Sequence, residues 1–361
     1  MAKIGMIGAS YFMVTTIMMY VLGKLSDLKG LRSYLIIFGF LGSSTVYFLL
    51  SISNSIFHLL VLMITLGLTT SAYQPSILAL VSENKAILTS GKKMGFYNAS
   101  MSAGFGFGVI FGGLISDIFR LNLVFILCSV VVIFGLFSLI PVLEYKLEKR
   151  EVTSFLEMKT ITESLQSRIV ISIKSILKSQ IVKTGLIFLC IAIFFRNGGF
   201  RALTNFLPLY LIDLGASQTL MGAIISVNFI AQIFLMPPAG WFYDFFGRKI
   251  PISIGMLTSS IAMFLFSLIN DPMGAILIQL LVAFSWSMIL TSANAYVADF
   301  IPRGEMGGGM GLMIAFQHLG GAVGPTLAGF LVGFYGYRVM LQVLTILPLL
   351  GLIISISKLE K

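Results

Sequence analysis

The sequence predicts an all-α polytopic membrane protein made of two related halves, and three observations carry that prediction. Of its 361 residues 57% are hydrophobic and only 11% are charged, with a mean hydropathy of +0.99. A soluble domain of this make-up would expose apolar patches that proteins in water do not tolerate. Apolar runs of roughly 20 residues recur between short polar breaks, each long enough for a helix to cross a hydrocarbon core about 30 Å thick. They lack the alternation that marks a β-barrel strand. Finally, the loop Gly23-Lys-Leu-Ser-Asp27-Leu-Lys-Gly30-Leu-Arg32 recurs at Gly240 to Lys249. There Gly240, Asp244, Gly247 and Lys249 match Gly23, Asp27, Gly30 and Arg32 at a displacement of 217 positions.

Taken in order, the predicted spans are 4–22, 33–52, 56–81, 94–116, 122–143, 182–212, 217–239, 250–270, 273–298, 306–333 and 337–357, eleven in all. The duplicated loop separates the first span from the second and the seventh from the eighth. The fourth span holds Gly104, Gly106, Gly108, Gly112 and Gly113, and the tenth holds Gly320, Gly324, Pro325, Ala328 and Gly329, so this glycine run repeats at a shift of 216. Small residues at every fourth position let helix backbones approach closely in lipid, as static packing or as a hinge. With no strand before these glycines and no acidic residue after them in a soluble unit, they are no dinucleotide fingerprint.

Between the fifth and sixth spans, residues 144–181 carry charges, with Leu156, Ile161, Leu165, Ile169 and Ile173 at roughly helical spacing. An amphipathic linker at the membrane surface is expected there. It divides the chain into an N-terminal bundle of five helices, 1–143, and a C-terminal bundle of six, 182–361. Carrying the repeat backwards puts the counterpart of span 182–212 before Met1. We therefore expect the opening helix of the first half to be missing through a truncated or misassigned start.

The formal net charge of +10 belongs to loops rather than to one soluble face, which removes nucleic acid as a partner. Lys24, Lys29, Arg32, Lys85, Lys92, Lys93, Arg248, Lys249, Arg303, Lys358 and the basic residues of the linker all fall in alternate loops or at the C-terminus. The positive-inside bias places those loops and the C-terminus in the cytoplasm, with Met1 outside. Cys128 and Cys190 both lie in apolar runs and read as small packing residues.

At this point the chain resembles the major facilitator superfamily. The loops at Gly23 to Arg32 and Gly240 to Lys249 are similar to its signature Gly-x-x-x-Asp-Arg/Lys-x-Gly-Arg/Lys-Arg/Lys. Leu28 and Phe245 replace the basic residue after Asp, and Leu31 replaces another. The glycine runs resemble the family's antiporter motif, with Val109 where the first copy should have Pro. The resemblance implies twelve helices in two pseudo-symmetric six-helix bundles around a central cavity that opens alternately to each side. This chain supplies eleven.

The motif residues also have a direct physical reading. Asp27 and Asp244, just past the ends of spans, can accept from the first amides of another helix or pair with basic residues across the halves, latching the cytoplasmic side. Alternatively the loops only set topology. Gly23, Gly30, Gly240 and Gly247 would allow the tight turns, and Arg32, Arg248 and Lys249 would supply the positive charge.

Candidate substrate or coupling residues concentrate in span 182–212, where Arg196, Asn197, Arg201, Thr204 and Asn205 surround Gly198-Gly199. An Arg near a helix centre costs about 2.5–3.5 kcal/mol on insertion scales and so tends to face a wet cavity. His318, beside Gln317, lies midway along span 306–333 and can exchange protons near neutral pH or serve as a bonded structural residue. Asn98, Tyr73, Gln74, Asn228, Gln232, Trp286 and Asn294 are further polar or aromatic candidates. His58 at a span end reads as interfacial.

No Asp or Glu falls securely within a span, and Met63 stands where drug/proton exchangers of the family carry an Arg. Together with two intramembrane arginines, this favours an anionic or amphiphilic substrate over a cation. The expected function is secondary transport of a small organic solute, driven by a proton or solute gradient, for efflux or uptake. No cofactor or metal is implied, and without a Walker A sequence ATP is not the direct energy source. A non-transporting membrane sensor or scaffold, or an inactive transporter, is the alternative, while an intramembrane enzyme would need clustered nucleophile, base or metal ligands that the sequence lacks. Expected partners are the solute, lipid and protons for a chain read as a monomer in the cell membrane.

Overall fold

The computed structural model of the protein describes residues 2–28, 31–53, 55–83, 88–118, 121–148, 185–302 and 304–359. Among them the chain forms helices α1 (Ala2–Ser26), α2 (Leu31–Ile52), α3 (Ile56–Glu83), α4 (Ser90–Ile118), α5 (Leu121–Glu148) and α6 (Leu186–Asp213). There follow α7 (Gln218–Phe246), α8 (Lys249–Leu268), α9 (Gly274–Phe300), α10 (Met306–Leu344) and α11 (Ile346–Lys358). Eight stretches of the described residues are long and apolar enough to cross a membrane; the last, Met306–Lys358, has the length of two crossings. Within it Gly336, at φ 78° and ψ 176°, leaves the helical region and turns the chain back. A residue with a Cβ would be strained there. Most of the expected linker, from 149 on, lies outside the described residues.

The all-α class and the paired architecture are both present. In the first half α1 packs on α3, and α2 packs on α3 and α5. In the second, α7 packs on α9, and α8 on α9 and α11. The halves meet reciprocally: α1 runs along α10, and α7 runs along α4. Ahead of this repeated set stands α6, packed along α10 and α11.

The principal core lies where the halves meet, combining Met19 of α1, Ala79 of α3, Met94 of α4 and Tyr243 of α7 with Met306, Met310 and Met313 of α10. Unbranched Met side chains fill irregular gaps between crossing helices. A second core is confined to the second half, around Leu203, Leu211, Phe266 and Leu344. Large apolar side chains such as Phe134, Phe234, Leu277 and Phe334 are exposed on the outside, as a lipid-facing surface requires. Within the first half, Ser43 donates to Thr69 at 2.9 Å and the hydroxyls of Ser44 and Ser129 share a bond of 2.8 Å, so small polar side chains tie α2 to α3 and α5.

Candidate functional site

The duplicated loops cap helices of the opposite half. Asp27, one residue beyond α1, accepts from the Gly307 and Gly308 amides at the start of α10, both at 2.7 Å. Asp244, in the last turn of α7, accepts from the Gly91 and Lys92 amides at the start of α4, at 3.0 and 3.1 Å, and from the Thr89 hydroxyl. Free amides and the positive end of the dipole make a helix N-terminus a natural seat for a carboxylate. The two caps join the halves at the same end of the bundle, which is the end carrying the basic loops.

Glycines make the approach possible. A Cβ on Gly23 or Gly307 would strike the other's carbonyl oxygen, and Gly91 and Gly240 exclude each other's Cβ in the same way. Gly247 ends α7 at φ 77°, in the left-handed region, which explains the second glycine of the loop. Its counterpart Gly30 lies outside the described residues.

Each cap has an ion pair beside it. Arg32 reaches Asp27 at 3.0 Å and spans both oxygens of Glu83, at the end of α3, at 2.6 and 3.1 Å. In the second copy Arg248, 3.8 Å from Asp299 at the end of α9, takes this place, lying over the Phe300 ring at 4.2 Å. Tyr243 donates to the same Asp299 at 2.8 Å. The aligned Lys249 opens α8 instead. Glu83 and Asp299 stand 216 positions apart, as do Arg32 and Arg248, so the repeat itself held the signal for both pairs. Both acids lie at the ends of predicted spans, outside the apolar runs. Asp27 is almost enclosed, and burial pushes its carboxyl up to about 6, outweighing the Gly308 and Gly307 amides and Arg32, which pull it down.

The glycine runs differ between copies. A Cβ on Gly320 would meet the Phe194 carbonyl and one on Gly324 the Gly198 carbonyl, so α6 and α10 touch backbone to backbone, with Pro325 in the same helix. Gly329 is looser, 3.8 Å from Phe206. In the first copy, a Cβ on Gly104 or Gly108 would meet nothing within 4 Å, and one on Gly112 would only touch Val124 at 3.9 Å. The surroundings of Gly113 lie outside the described side chains.

On α6, Arg196 is fully buried. Its guanidinium carbon lies 4.1 Å from the Phe200 ring centroid and 4.3 Å from that of Trp286 on α9, while Nη1 donates to Asn197 at 3.3 Å. Nε and Nη2 have no hydrogen-bond partner among the described residues, and no carboxylate there pairs with Arg196. Aromatic faces offset part of the cost of burying a cation. The remainder is several kcal/mol when no counter-charge is present. Asn197 donates to the Gln317 carbonyl of α10 at 3.1 Å, tying the two helices.

Five residues on, Arg201 is exposed, beside Gly321 and within electrostatic reach of Tyr11 on α1 and His318 on α10. The His318 ring lies 6.3 Å from Tyr11 and 5.7 Å from Phe12. This cluster therefore joins α6, α10 and, from the other half, α1.

Two more polar links cross the halves. Asn98 of α4 donates to Thr291 at 3.3 Å and accepts from Asn294 at 3.1 Å, both on α9. Ser102 of α4 donates to Gln232 of α7 at 2.9 Å; Gln232 in turn donates to Asn228, which donates to Gln279 of α9 at 3.1 Å. Asn205 is exposed on α6 past Arg201, while Tyr73 packs against Phe40, 4.9 Å between centroids, inside the first half. Tyr11, Phe200, Ser102 and Gln279 were not singled out by the sequence, because one polar or aromatic residue in an apolar run carries no sign of where it faces.

Comparison with known proteins fits this architecture. The profile of the Major Facilitator Superfamily matches residues 1–215 and 189–360. An uncharacterized MFS-type transporter of Methanocaldococcus jannaschii is 24% identical over 362 residues, covering 99% of this chain and 89% of that protein. The quinolone resistance protein NorA of Staphylococcus aureus is 27% identical over 125 residues, 35% of this chain and 32% of NorA. Among solved structures, the human organic anion transporter MFSD10 superposes with a TM-score of 0.79 at 18% identity, covering 97% of this chain and 83% of that one. The proton:xylose symporter XylE does so with 0.74 at 17%, covering 97% and 85%. The chain is a multi-pass membrane protein, and it belongs to the major facilitator superfamily, whose members are transporters rather than enzymes.

Proposed function

We propose that the protein is a secondary active transporter that moves a small organic solute across the cell membrane by alternating access. The observation that carries this reading is the pair of reciprocal caps. Asp27 on α10 and Asp244 on α4 join the two halves at one end only, so releasing them would let that end open. Such a two-state rocking motion needs bonds that exist in one state and not in the other. The moving bodies are the bundles 1–143 and 182–361, joined by 144–181. The basic loops and the C-terminus face the cytoplasm under the positive-inside rule.

The solute-facing groups are Arg196, Asn197, Arg201, Asn205, Gln317 and His318, with Asn228, Gln232, Asn294 and Tyr73 as further candidates. Two cations without an intramembrane acid favour an anionic or amphiphilic solute. The likeness to the organic anion transporter and the partial match to NorA support an anion and efflux respectively. A proton or solute gradient supplies the energy.

The test is a thermal-stabilisation screen of small organic acids and amphiphiles, followed by uptake of the hits into proteoliposomes under an imposed pH or solute gradient. Gradient-dependent uptake that Asp27→Ala slows on the order of 30-fold is expected. Hits that bind but never move, under gradients of either sign, would overturn the transport reading. If Arg196→Ala transports as well as the parent protein, the anionic preference fails.

A further inference from the structure

The two unpartnered nitrogens of Arg196 are not an arbitrary pair. Nε and Nη2 form one edge of the guanidinium, whose two parallel N–H bonds match the two oxygens of a carboxylate. The third nitrogen, Nη1, is already held by Asn197. The cation is thus oriented, fully buried, and left with its carboxylate-matching edge unused.

Its surroundings are as particular as its edge. The Phe200 and Trp286 rings are stacked, nearly parallel at 7° with centroids 5.9 Å apart, and the guanidinium lies over both. Both rings are only partly buried, so they border open space where Arg196 itself does not. Helices α6 and α9 do not pack closely on each other, so these three side chains bridge the gap between them.

We propose that the Nε–Nη2 edge of Arg196, together with the Phe200–Trp286 ring pair, is a binding site for an aromatic carboxylate. The carboxylate accepts two parallel bonds from the guanidinium, and the arene of the ligand stacks on the exposed part of the ring pair. A flat ring gains from stacking what a saturated ring of the same size does not. Arg201, exposed five residues further along α6, draws the anion toward this helix without providing this edge. The proposal rests on the transporter reading only in placing α6 beside the solute path.

Because the chain holds two tryptophans, Trp241 and Trp286, the W241F protein makes Trp286 its own reporter. Its emission is followed in lipid nanodiscs during titration with benzoate, cyclohexanecarboxylate and benzylammonium. Benzoate should change the emission saturably and bind about fivefold more tightly than cyclohexanecarboxylate. Benzylammonium should leave it unchanged. R196Q should weaken benzoate at least tenfold and R196K nearly as much, since an ammonium offers no parallel pair. F200L should keep carboxylate binding while bringing the benzoate to cyclohexanecarboxylate ratio close to one, which separates loss of the platform from loss of the fold.

Benzoate that leaves Trp286 unchanged, or binds R196Q as it binds the parent, would overturn the proposal. So would equal affinity for the two acids in the parent. Gradient-driven uptake of another solute in that same protein would leave the transporter reading standing, whereas loss of all flux would bring down that reading instead.

Discussion

The two latches are built from the same motif, yet they differ in how their carboxylates are placed. Asp27 is almost enclosed, capped by two α10 amides and paired with Arg32, which also holds Glu83. Asp244 is exposed, held by two α4 amides and a hydroxyl, and its neighbouring Arg248 has gone to Asp299 instead. Charge-assisted bonds to a buried carboxylate are stronger and less screened than those to an exposed one. The first latch should therefore dominate the stability of the closed end, while the second adds geometry and a smaller increment.

The largest effect is expected from Asp27→Ala, which uncaps Gly307 and Gly308 and leaves Arg32 with one partner. At about 1.5–3 kcal/mol for a bond to a charged group, initial transport rates in proteoliposomes should fall on the order of 30-fold. Next comes acidity. Held near 6 in the closed form and at an ordinary carboxylate value once released into water, Asp27 takes up a proton more readily when the latch is shut. The closed form should therefore gain as pH falls through 6 toward 4, by about tenfold between pH 7 and pH 5. Spin-label distances across the latch measured against pH would record this, and Asp27→Asn should abolish the dependence.

A smaller loss, about fivefold in rate, is expected from Gly240→Ala, whose Cβ would meet the Gly91 backbone and spread α7 from α4. Gly104→Ala, with nothing within 4 Å, should leave the rate within about twofold of the parent. Asp244→Ala should cost about threefold, since an exposed carboxylate contributes little. If it equals or exceeds Asp27→Ala in the same assay, burial is not what separates the two latches.

Much of this was legible before any fold was described. The all-α class follows from run length and composition, and the duplicated Gly-x-x-x-Asp loop marks the internal repeat. The place of Asp27 and Asp244 just past span ends already points to latches. The identity of their partners is not legible in the sequence, because Gly307, Gly308, Gly91 and Lys92 offer only backbone amides, which no side-chain pattern announces. Arg248 rather than Lys249 proved to be the counterpart of Arg32 because geometry, not alignment of the loop, decides which cation reaches the acid. Arg196 stood out as a charge in an apolar run. Its aromatic bed did not: Trp286 reads only as one candidate among several, and nothing in the sequence sets it beside Phe200, because α6 and α9 meet only through side chains.

Asp27 holds the basic end shut through its cap on α10. Spin labels at Leu28 and Glu305, flanking the cap, report the separation of α1 from α10 by pulsed electron resonance in nanodiscs. The parent protein should give a short distance at pH 7, and Asp27→Ala should add a population several ångströms longer. An Asp27→Ala protein that is folded and keeps the parent's distribution would contradict the latch.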